Sequence, residues 1–169
     1  LFLKSINICI PPTYIVNSVE ALKELINLHP IIVKPFRISE GYGHRKTCII
    51  QNWKDICKLG DIGKPIFVQK FLLTDGWDRK LYVIGDKVYG VMRPSFSRES
   101  QIKRFKLSEE LVETALKIGK NLNLSIYGVD IIQSEGKFYV VDVNDFPSFR
   151  NVSGAIERIA ELIARRCKR

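Results

Sequence analysis

The chain has 169 residues, of which 46% are hydrophobic and 27% are charged, as expected for one globular domain or two small lobes. No apolar run approaches the roughly 20 residues that a membrane-spanning helix needs. We expect no membrane partner. Lysine and arginine number 27 against 18 acidic residues, which gives a formal net charge of +9. This excess favours an anionic partner but does not distinguish nucleotide, phosphorylated metabolite, nucleic acid and acidic peptide.

The content of cysteine and histidine limits the metal and redox chemistry of the chain. Its 4 cysteines have no Cys-x-x-Cys spacing, which predicts neither a zinc site nor a dithiol redox motif. With 2 histidines, a histidine-rich metal site is excluded. Because no secretion signal is recognisable, we expect reduced thiols in a cytoplasmic protein. The chain also lacks an initiator methionine, so we expect Leu1 to lie inside a longer gene product.

Strands and helices alternate in the first part of the chain. The β-branched and aromatic segment Thr13–Val16 is typical of a strand. Ser18 is a candidate N-cap of a helix whose apolar residues recur at helical spacing. The remaining predicted elements of this part are a buried strand at Ile31–Val33, a short strand at Cys48–Ile50, a short helix at Trp53–Leu59 and a strand at Ile66–Val68.

Hairpins and amphipathic helices follow in the second part. Gly85-Asp86 and Glu135-Gly136 are each flanked by apolar segments, a pattern typical of β-hairpins. The predicted strands are 81–84, 88–92, 127–132 and 138–143. Residues 95–106 are polar and basic and predict a mobile loop, and Ser108 is a candidate N-cap of the next helix. A last helix is predicted from about Gly154, with four apolar side chains facing inward: Ile156, Ile159, Ala160 and Ile163.

Oxygen-bearing side chains cluster on the last predicted hairpin. Asp130 and Asp142 lie on its two strands, and Asn144 shares a strand face with Asp142 because the two are two residues apart. Two carboxylates and an amide oxygen are ligands that suit Mg²⁺. Alternatively, Asn144 forms a turn before Pro147 and Asp130 ends a strand. The spacing alone leaves both readings open.

Two basic segments are candidates for phosphate binding. Lys34 ends an otherwise buried strand, where it either extends to solvent or meets a phosphate. The polar stretch after it contains Ser39, Gly41, Gly43 and His44. Glycines there let backbone N–H groups approach an anion, although a lone Gly-x-Gly also occurs in ordinary loops.

Two cations meet at one edge of the first predicted hairpin. Lys80 lies at the start of one strand and Arg93 at the end of the other, so the antiparallel pairing makes their ends neighbours. An anion between them would relieve their repulsion. Alternatively, each cation ends its strand in water.

The order of these motifs resembles the ATP-grasp superfamily over essentially the whole chain. Val68-Gln69-Lys70-Phe71 resembles the linker strand of that superfamily. The Ser-x-Gly-x-Gly lid and Asp78 resemble RimK-like amino-acid and peptide ligases, whereas His44 and Arg93-Pro94-Ser95 resemble inositol trisphosphate 5/6-kinases. The resemblance implies an α+β, ATP-grasp fold of two α/β lobes, residues 1–72 and 73–169, with mainly antiparallel sheets enclosing a nucleotide cleft. The N-terminal domain of the family would lie before Leu1.

The resemblance also implies a set of site residues. ATP would be bound by Lys34, Ser39, Gly41, Gly43, His44, Gln69, Lys70, Phe71 and Leu72, with the backbone from Lys70 to Leu72 meeting the adenine edge. Lys34, Lys80 and Arg93 would be catalytic. Asp130, Asp142 and Asn144 would bind Mg²⁺, or Mn²⁺ in its place.

The activity that the resemblance implies is an ADP-forming ligase that activates a carboxylate as an acyl phosphate for attack by an amine. The acceptor would be an anionic small molecule or a peptide. An inositol polyphosphate kinase and a non-catalytic nucleotide-binding module are the alternatives. A basic nucleic-acid binder is the least favoured alternative, because only the net charge supports it and the aromatic residues are not spaced as a stacking platform.

Overall fold

The computed structural model describes residues 2–34, 48–59, 64–95, 102–149 and 151–167. The chain divides into two compact units, a small unit Pro11–Leu73 and a large unit formed by Leu1–Ile10 and Thr74–Arg169. The first ten residues thus belong to the large unit, whereas the predicted lobe boundaries placed them in the first lobe. The physical reason is apolar packing, because Leu3, Ile6 and Ile8 pack against the core of the large unit.

The described elements follow the predicted alternation. In chain order they are α1 (Phe2–Ser5), β1 (Thr13–Val16), α2 (Val19–Leu28), β2 (Ile31–Lys34), β3 (Cys48–Ile50), α3 (Trp53–Ile56), β4 (Ile66–Lys70), β5 (Trp77–Ile84), β6 (Lys87–Pro94), β7 (Lys103–Arg104), α4 (Glu109–Leu122), β8 (Ile126–Ser134), β9 (Lys137–Asn144) and α5 (Ala155–Cys167). Every predicted strand and helix is confirmed. Helix α3 ends earlier than predicted, and α1 and β7 were not predicted.

The small unit is an antiparallel sheet of strand order β1-β4-β2-β3 with two helices. The predicted N-cap of α2 is confirmed, since the Ser18 Oγ accepts a hydrogen bond from the Ala21 N–H at 3.2 Å. Asn52 and Asp55 form a capping box at α3. The core of this unit consists of aliphatic side chains from the sheet and both helices: Leu22, Ile31, Val33, Ile50, Ile56, Ile66 and Val68.

The large unit contains a 5-stranded antiparallel sheet of order β7-β6-β5-β8-β9. Gly85 in the first hairpin turn has φ +64°, a conformation that glycine adopts without strain. Alternate residues of β5 point to opposite faces. Leu81 and Val83 share a core with helix α4, whereas Tyr82 and Ile84 share another with α5. We name these the α4 face and the α5 face.

Helix α5 corrects one prediction about which side chains point inward. Ile159 packs against the sheet as predicted, but Ile156 is 81% exposed, Ile163 is 51% exposed and Ala160 is also exposed. The buried stripe is instead Ala155, Ile159 and Leu162. The prediction was wrong because both stripes have the same helical spacing, so periodicity alone cannot select the one that meets the sheet.

The helices leave part of the α5 face uncovered, and this positions the candidate site. Helix α5 packs over Tyr82 and Ile84, at the end of β5 near the hairpin turn. Asp78 and Lys80 share that face by strand alternation but precede the covered segment. No helix among the described residues is long and apolar enough to span a membrane.

Candidate active site

A cavity of about 380 Å³ lies on the uncovered part of the α5 face, entirely within the large unit. Its lining combines charged and aliphatic side chains with an aromatic, a methionine and an amide side chain. The lining residues are Asp78, Arg79, Lys80, Tyr82, Val91, Met92, Arg93, Ile102, Asp130, Ile131, Ile132, Val141 and Asn151. Three residues predicted from the sequence, Lys80, Arg93 and Asp130, are therefore brought together at one cavity.

Lys80 and Asp130 form the centre of this site. They are paired directly across β5 and β8. The Lys80 Nζ lies 3.0 Å from Asp130 Oδ1 and 3.3 Å from Asp130 Oδ2. Asn144 adds a third group, since its Nδ2 donates to Asp130 Oδ2 at 3.1 Å. The side chains of Lys80 and Asp130 are 28% and 32% exposed, so the ion pair is partly shielded yet reachable.

Gly128 makes room for the Lys80 side chain. A Cβ atom at this glycine would lie 3.2 Å from Lys80 Cε and 3.0 Å from Pro147 Cγ, closer than most real Cβ contacts. The side chain of Lys80 therefore passes over a position where a larger residue would displace it. Pro147, which follows the Asn144 strand end, is packed against the same position.

Asp142 reaches the same face through an irregular strand. It pairs with Asp130, but Val140 pairs with Ile131, so the register shifts and Val141 is an extra residue. This bulge lets Val140 point into the core, where it is 4% exposed, while Asp142 stays opposite Asp130. Asp142 is exposed, and its Oδ1 accepts a hydrogen bond from the Val143 N–H at 3.0 Å.

The oxygen atoms of this hairpin fit a hard divalent cation. Asp130 and Asp142 are cross-strand partners, and cross-strand partners lie on the same face of a sheet. Asn144 donates through its Nδ2 to Asp130, so its Oδ1 is the atom that could ligate a cation. Within the described ranges, no cluster of at least 3 His, Cys, Asp or Glu side chains could hold a metal. The candidate set has two carboxylates and one amide, which suits Mg²⁺ because that ion keeps waters and substrate phosphates as further ligands.

Asp78 and Ser95 were named above only as points of family resemblance, and the structure places both at the site. Asp78 pairs with Arg93 across the hairpin, and the Arg93 Nε lies 3.7 Å from Asp78 Oδ2. The Ser95 Oγ donates to Asp78 Oδ1 at 2.8 Å. Lys80 pairs with Val91, so the two cations are two positions apart and each has its own carboxylate. The strand register determines which acid meets which base.

Arg79 lines the cavity, but its guanidinium is part of the structural framework. Its Nη1 donates to Asp75 Oδ1 at 3.1 Å, its Nη2 donates to Gln133 Oε1 at 3.2 Å, and its side chain is 10% exposed. The hydrogen bond and charge of Arg79 lower the pKa of Asp75 below its ordinary value. Asp75 also accepts from the Trp77 N–H at 3.3 Å, so the cluster fixes the turn that leads into β5.

We expect Asp75→Asn to destabilise the protein by about 1 kcal/mol at pH 7. This is less than the destabilisation typical of losing a hydrogen bond between buried charged groups. The reduction is needed because the Asp75 side chain is 34% exposed. A carboxyl whose pKa is lowered by folding stabilises the protein above its unfolded pKa, and this stability is lost as the pH falls through the folded pKa. Urea unfolding at pH 7 and pH 2.5 should therefore show the difference shrinking in acid. Asp86→Asn, at the exposed hairpin turn, is the control; an equal effect of both variants would contradict the assignment.

The structure describes some of the predicted site residues of the small unit but not the lid residues. Lys34 ends β2, paired with Phe67 of β4. The predicted lid residues Ser39, Gly41, Gly43 and His44 lie outside the described residues.

The predicted adenine-binding segment is held by hydrogen bonds of its own. Gln69 is 4% exposed, and its Nε2 donates to Thr13 Oγ1 at 3.3 Å. The Lys70 N–H donates to the Pro12 carbonyl at 2.8 Å, and the Phe71 N–H donates to the Pro30 carbonyl at 2.9 Å. These internal bonds fix the backbone direction of the segment and use two of its donors.

A comparison with models of protein families shows which family this chain belongs to. A family model described as a RimK-like ATP-grasp domain matches residues 1–165. The chain belongs to the RimK-like ATP-grasp family. The resemblance inferred from the order of the motifs is thereby confirmed.

Curated relatives of this ATP-grasp chain include both ligases and a kinase. It is 30% identical over 137 residues to the "Probable alpha-L-glutamate ligase" of Histophilus somni, covering 73% of this chain and 45% of the relative. It is 25% identical over 185 residues to the inositol-tetrakisphosphate 1-kinase of Danio rerio, covering 86% of this chain and 46% of the relative. The ATP-grasp chain thus spans about half the length of the curated relatives it matches.

A solved structure confirms the predicted ATP-grasp fold. The RiPP-associated ATP-grasp ligase of Chryseobacterium gregarium, in complex with ADP and a leader and core peptide, matches with a TM-score of 0.78 at 20% identity. The match covers 98% of this ATP-grasp chain and 57% of that chain.

Proposed function

We propose that this ATP-grasp chain is the nucleotide-binding part of an ATP- and Mg²⁺-dependent, ADP-forming carboxylate–amine ligase. The observation that carries the proposal is the cluster of Lys80, Asp130 and Asn144 beside a cavity. A cation, an acid and an amide held together on rigid strands are suited to binding phosphate and metal. Family membership and the relatives named as ligases support the same activity.

The small unit would bind the nucleotide. The N–H groups of Lys70 and Phe71 already donate to Pro12 and Pro30, so the adenine edge would meet other backbone groups. We assign this role to the Lys70 carbonyl and the Leu72 N–H. The Lys70 N–H faces Pro12, and neither Pro11 nor Pro12 has an N–H to donate to the Lys70 carbonyl. Gln69 would orient this strand rather than touch adenine, because its side chain is buried on Thr13.

The phosphates would be bound by cations and by a hydrated divalent ion. Lys34, Lys80 and the lid residues Ser39, Gly41, Gly43 and His44 would contact the phosphate oxygens. Asp130, Asp142 and Asn144 would hold Mg²⁺, or Mn²⁺ in its place, which supplies positive charge against the charge that develops on the phosphates. Catalysis of this kind depends mainly on positioning and electrostatic stabilisation.

Two steps would complete the reaction. An acceptor carboxylate oxygen attacks the γ-phosphorus of ATP, the bond to the β-phosphate oxygen breaks, and ADP and an acyl phosphate form. An amine then attacks the acyl carbon, loses a proton to solvent and expels inorganic phosphate, which leaves an amide. Arg93 would orient the acceptor carboxylate, because its side chain is 66% exposed at the cavity.

Calorimetric titration with a non-hydrolysable ATP analogue tests the nucleotide site. We expect binding of the analogue, and stronger binding when Mg²⁺ is present. Absence of binding by the full-length gene product would contradict the proposal. Release of ADP and phosphate that depends on both Mg²⁺ and an acceptor would distinguish a ligase from a non-catalytic nucleotide-binding module.

A kinase is the second candidate, because the Danio rerio relative is named as a kinase and its match covers 86% of this chain. Arg93-Pro94-Ser95 supports it by resemblance. In a kinase the acceptor is a hydroxyl group, and the reaction ends with a phosphorylated product. Product analysis separates the two activities, since a ligase releases inorganic phosphate and a kinase does not.

A further inference from the structure

The Lys80 ammonium lies against both carboxylate oxygens of Asp130. Its Nζ is 3.0 Å from Oδ1 and 3.3 Å from Oδ2, and the Asn144 Nδ2 donates to the same Oδ2 at 3.1 Å. A hard divalent cation would bind through the lone pairs that accept these hydrogen bonds. A metal ion at Asp130 therefore competes with the ammonium for these oxygens and is also repelled by its charge.

The surroundings of Lys80 favour this position of its ammonium. The side chain passes over Gly128, where a Cβ atom would lie 3.2 Å from the Lys80 Cε. The Nζ is 5.8 Å from the centroid of the Tyr82 ring, within the range of a cation–π interaction. The side chain is 28% exposed, so its contacts with the carboxylate and the ring replace part of its hydration.

Two carboxylates share this one ammonium. Asp142 is the cross-strand partner of Asp130 and lies on the same face of the sheet. The ammonium of Lys80 therefore offsets half of the negative charge of the pair. Removing it would leave both carboxylates without a cation of their own, which increases their attraction for a divalent ion.

The other cations near the cavity are held elsewhere or lie farther from this pair of carboxylates. Arg93 forms an ion pair with Asp78, and the Lys103 Nζ lies 5.7 Å from the centroid of an aromatic ring of β5. Arg104 is exposed on β7, and strand β6 separates it from Lys80 on β5. Among the cations that the structure describes, Lys80 is thus the one that contacts Asp130.

From these contacts we propose that the Lys80 ammonium occupies the cation position of Asp130 until metal and nucleotide bind together. On binding, the ammonium leaves Asp130 for a phosphate oxygen, and the divalent ion takes its place on the carboxylate. Asp130 has a cationic partner in both states, and the ammonium becomes available when the phosphates arrive. The inference rests on the proposed function and adds a regulation of the same site, namely that metal without nucleotide binds weakly.

The affinity for Mn²⁺ without nucleotide tests this exchange. The EPR signal of hydrated Mn²⁺ measures the unbound metal in a titration of the whole chain. We expect Lys80→Met to bind Mn²⁺ about tenfold more tightly than the wild-type protein, the scale for removing one positive charge about 5 Å from a divalent ion in water. A lysine that only supported the structure of the site would, when replaced, weaken metal binding instead.

Three variants localise the effect. Lys87→Met, at the exposed hairpin turn, should keep the wild-type affinity for Mn²⁺. Arg104→Met removes a cation on a strand of the same sheet that does not contact Asp130, and it should change the affinity by less than about twofold because salt screens the longer distance. Adding Asp130→Asn to Lys80→Met should abolish the gain.

Several results would overturn the inference. They are an unchanged or weaker affinity of Lys80→Met for Mn²⁺, an equal gain in Arg104→Met, a gain that persists without the Asp130 carboxylate, and no Mn²⁺ binding by either the wild-type protein or Lys80→Met. The first would show that the ammonium does not compete with metal. The second would indicate a general effect of net charge.

Binding of the ATP analogue is measured separately, so the two proposals can fail separately. If the analogue binds and Lys80→Met gains no affinity for Mn²⁺, the exchange at Asp130 is wrong and the ligase proposal stands. If the analogue does not bind but the gain is observed and depends on Asp130, the ammonium and a metal compete for this carboxylate in a protein that is not this ligase.

Discussion

Asp130→Asn is expected to lower ADP formation by at least about 100-fold, the scale for losing one preorganised electrostatic contact in a transition state. Asn has nearly the same shape as Asp but no charge. Asp130 contacts Lys80 and Asn144 and is a proposed metal ligand, so three groups lose their anionic partner at once. Steady-state ADP release at saturating Mg²⁺ and ATP, with the acceptor present, measures the effect.

The fold of this variant should be preserved. Asp130 is 32% exposed, so the Lys80 ammonium can be solvated when the ion pair is lost. Unfolding in urea should therefore change by less than about 1 kcal/mol. Asp86→Asn, at the exposed turn, is the matched control and should retain wild-type turnover. ADP release by Asp130→Asn at the wild-type rate would disprove the assignment of this residue to the site.

Lys80→Met is expected to have the second large effect, again a loss of about 100-fold in ADP formation. Methionine keeps most of the side-chain volume that passes over Gly128 but removes the ammonium that would contact phosphate. If this contact strengthens in the transition state, kcat falls with little change in KM for ATP. Lys87→Met, on the same hairpin but exposed at the turn, is the control.

Lys80 and Asp130 should also be coupled. Because the two side chains form one ion pair, the double variant should lose much less activity than the sum of the two single losses. Additive losses would mean that the two residues act independently. An unchanged kcat of the Lys80→Met variant would show that Lys80 has only a structural role.

The sequence predicted the positions of most elements because local signals specify them. Glycine at the turns, Ser18 and Ser108 at the helix starts and β-branched strand segments all act within a few residues. Strand β7 was missed because Lys103 and Arg104 are polar and exposed, and only pairing with β6 makes them a strand. The choice between the two stripes of α5 was also beyond the sequence, since it depends on the sheet beneath.

The candidate site was predicted in part for the same reason. Tight hairpin turns fix the register, so the sequence could place Asp130, Asp142 and Asn144 on neighbouring strands. For the other hairpin it predicted only that Lys80 and Arg93 lie near one edge, because the ion pair of Asp78 with Arg93 also depends on the direction of both side chains. The hydrogen bonds from Lys70 and Phe71 to prolines far away in sequence could not be predicted either.

The extra residue Val141 limits the insertions and deletions that strand β9 can accept. Val140 faces the core and Asp142 faces the cavity only because one residue is inserted between them. Deleting Val141 would restore regular alternation, which would turn either Val140 out of the core or Asp142 and Asn144 away from Asp130. The number of residues between Val140 and Asp142 therefore decides which face each of them occupies, whatever side chain stands at position 141. The length of this strand segment, and not only its composition, keeps Asp142 on the cavity face.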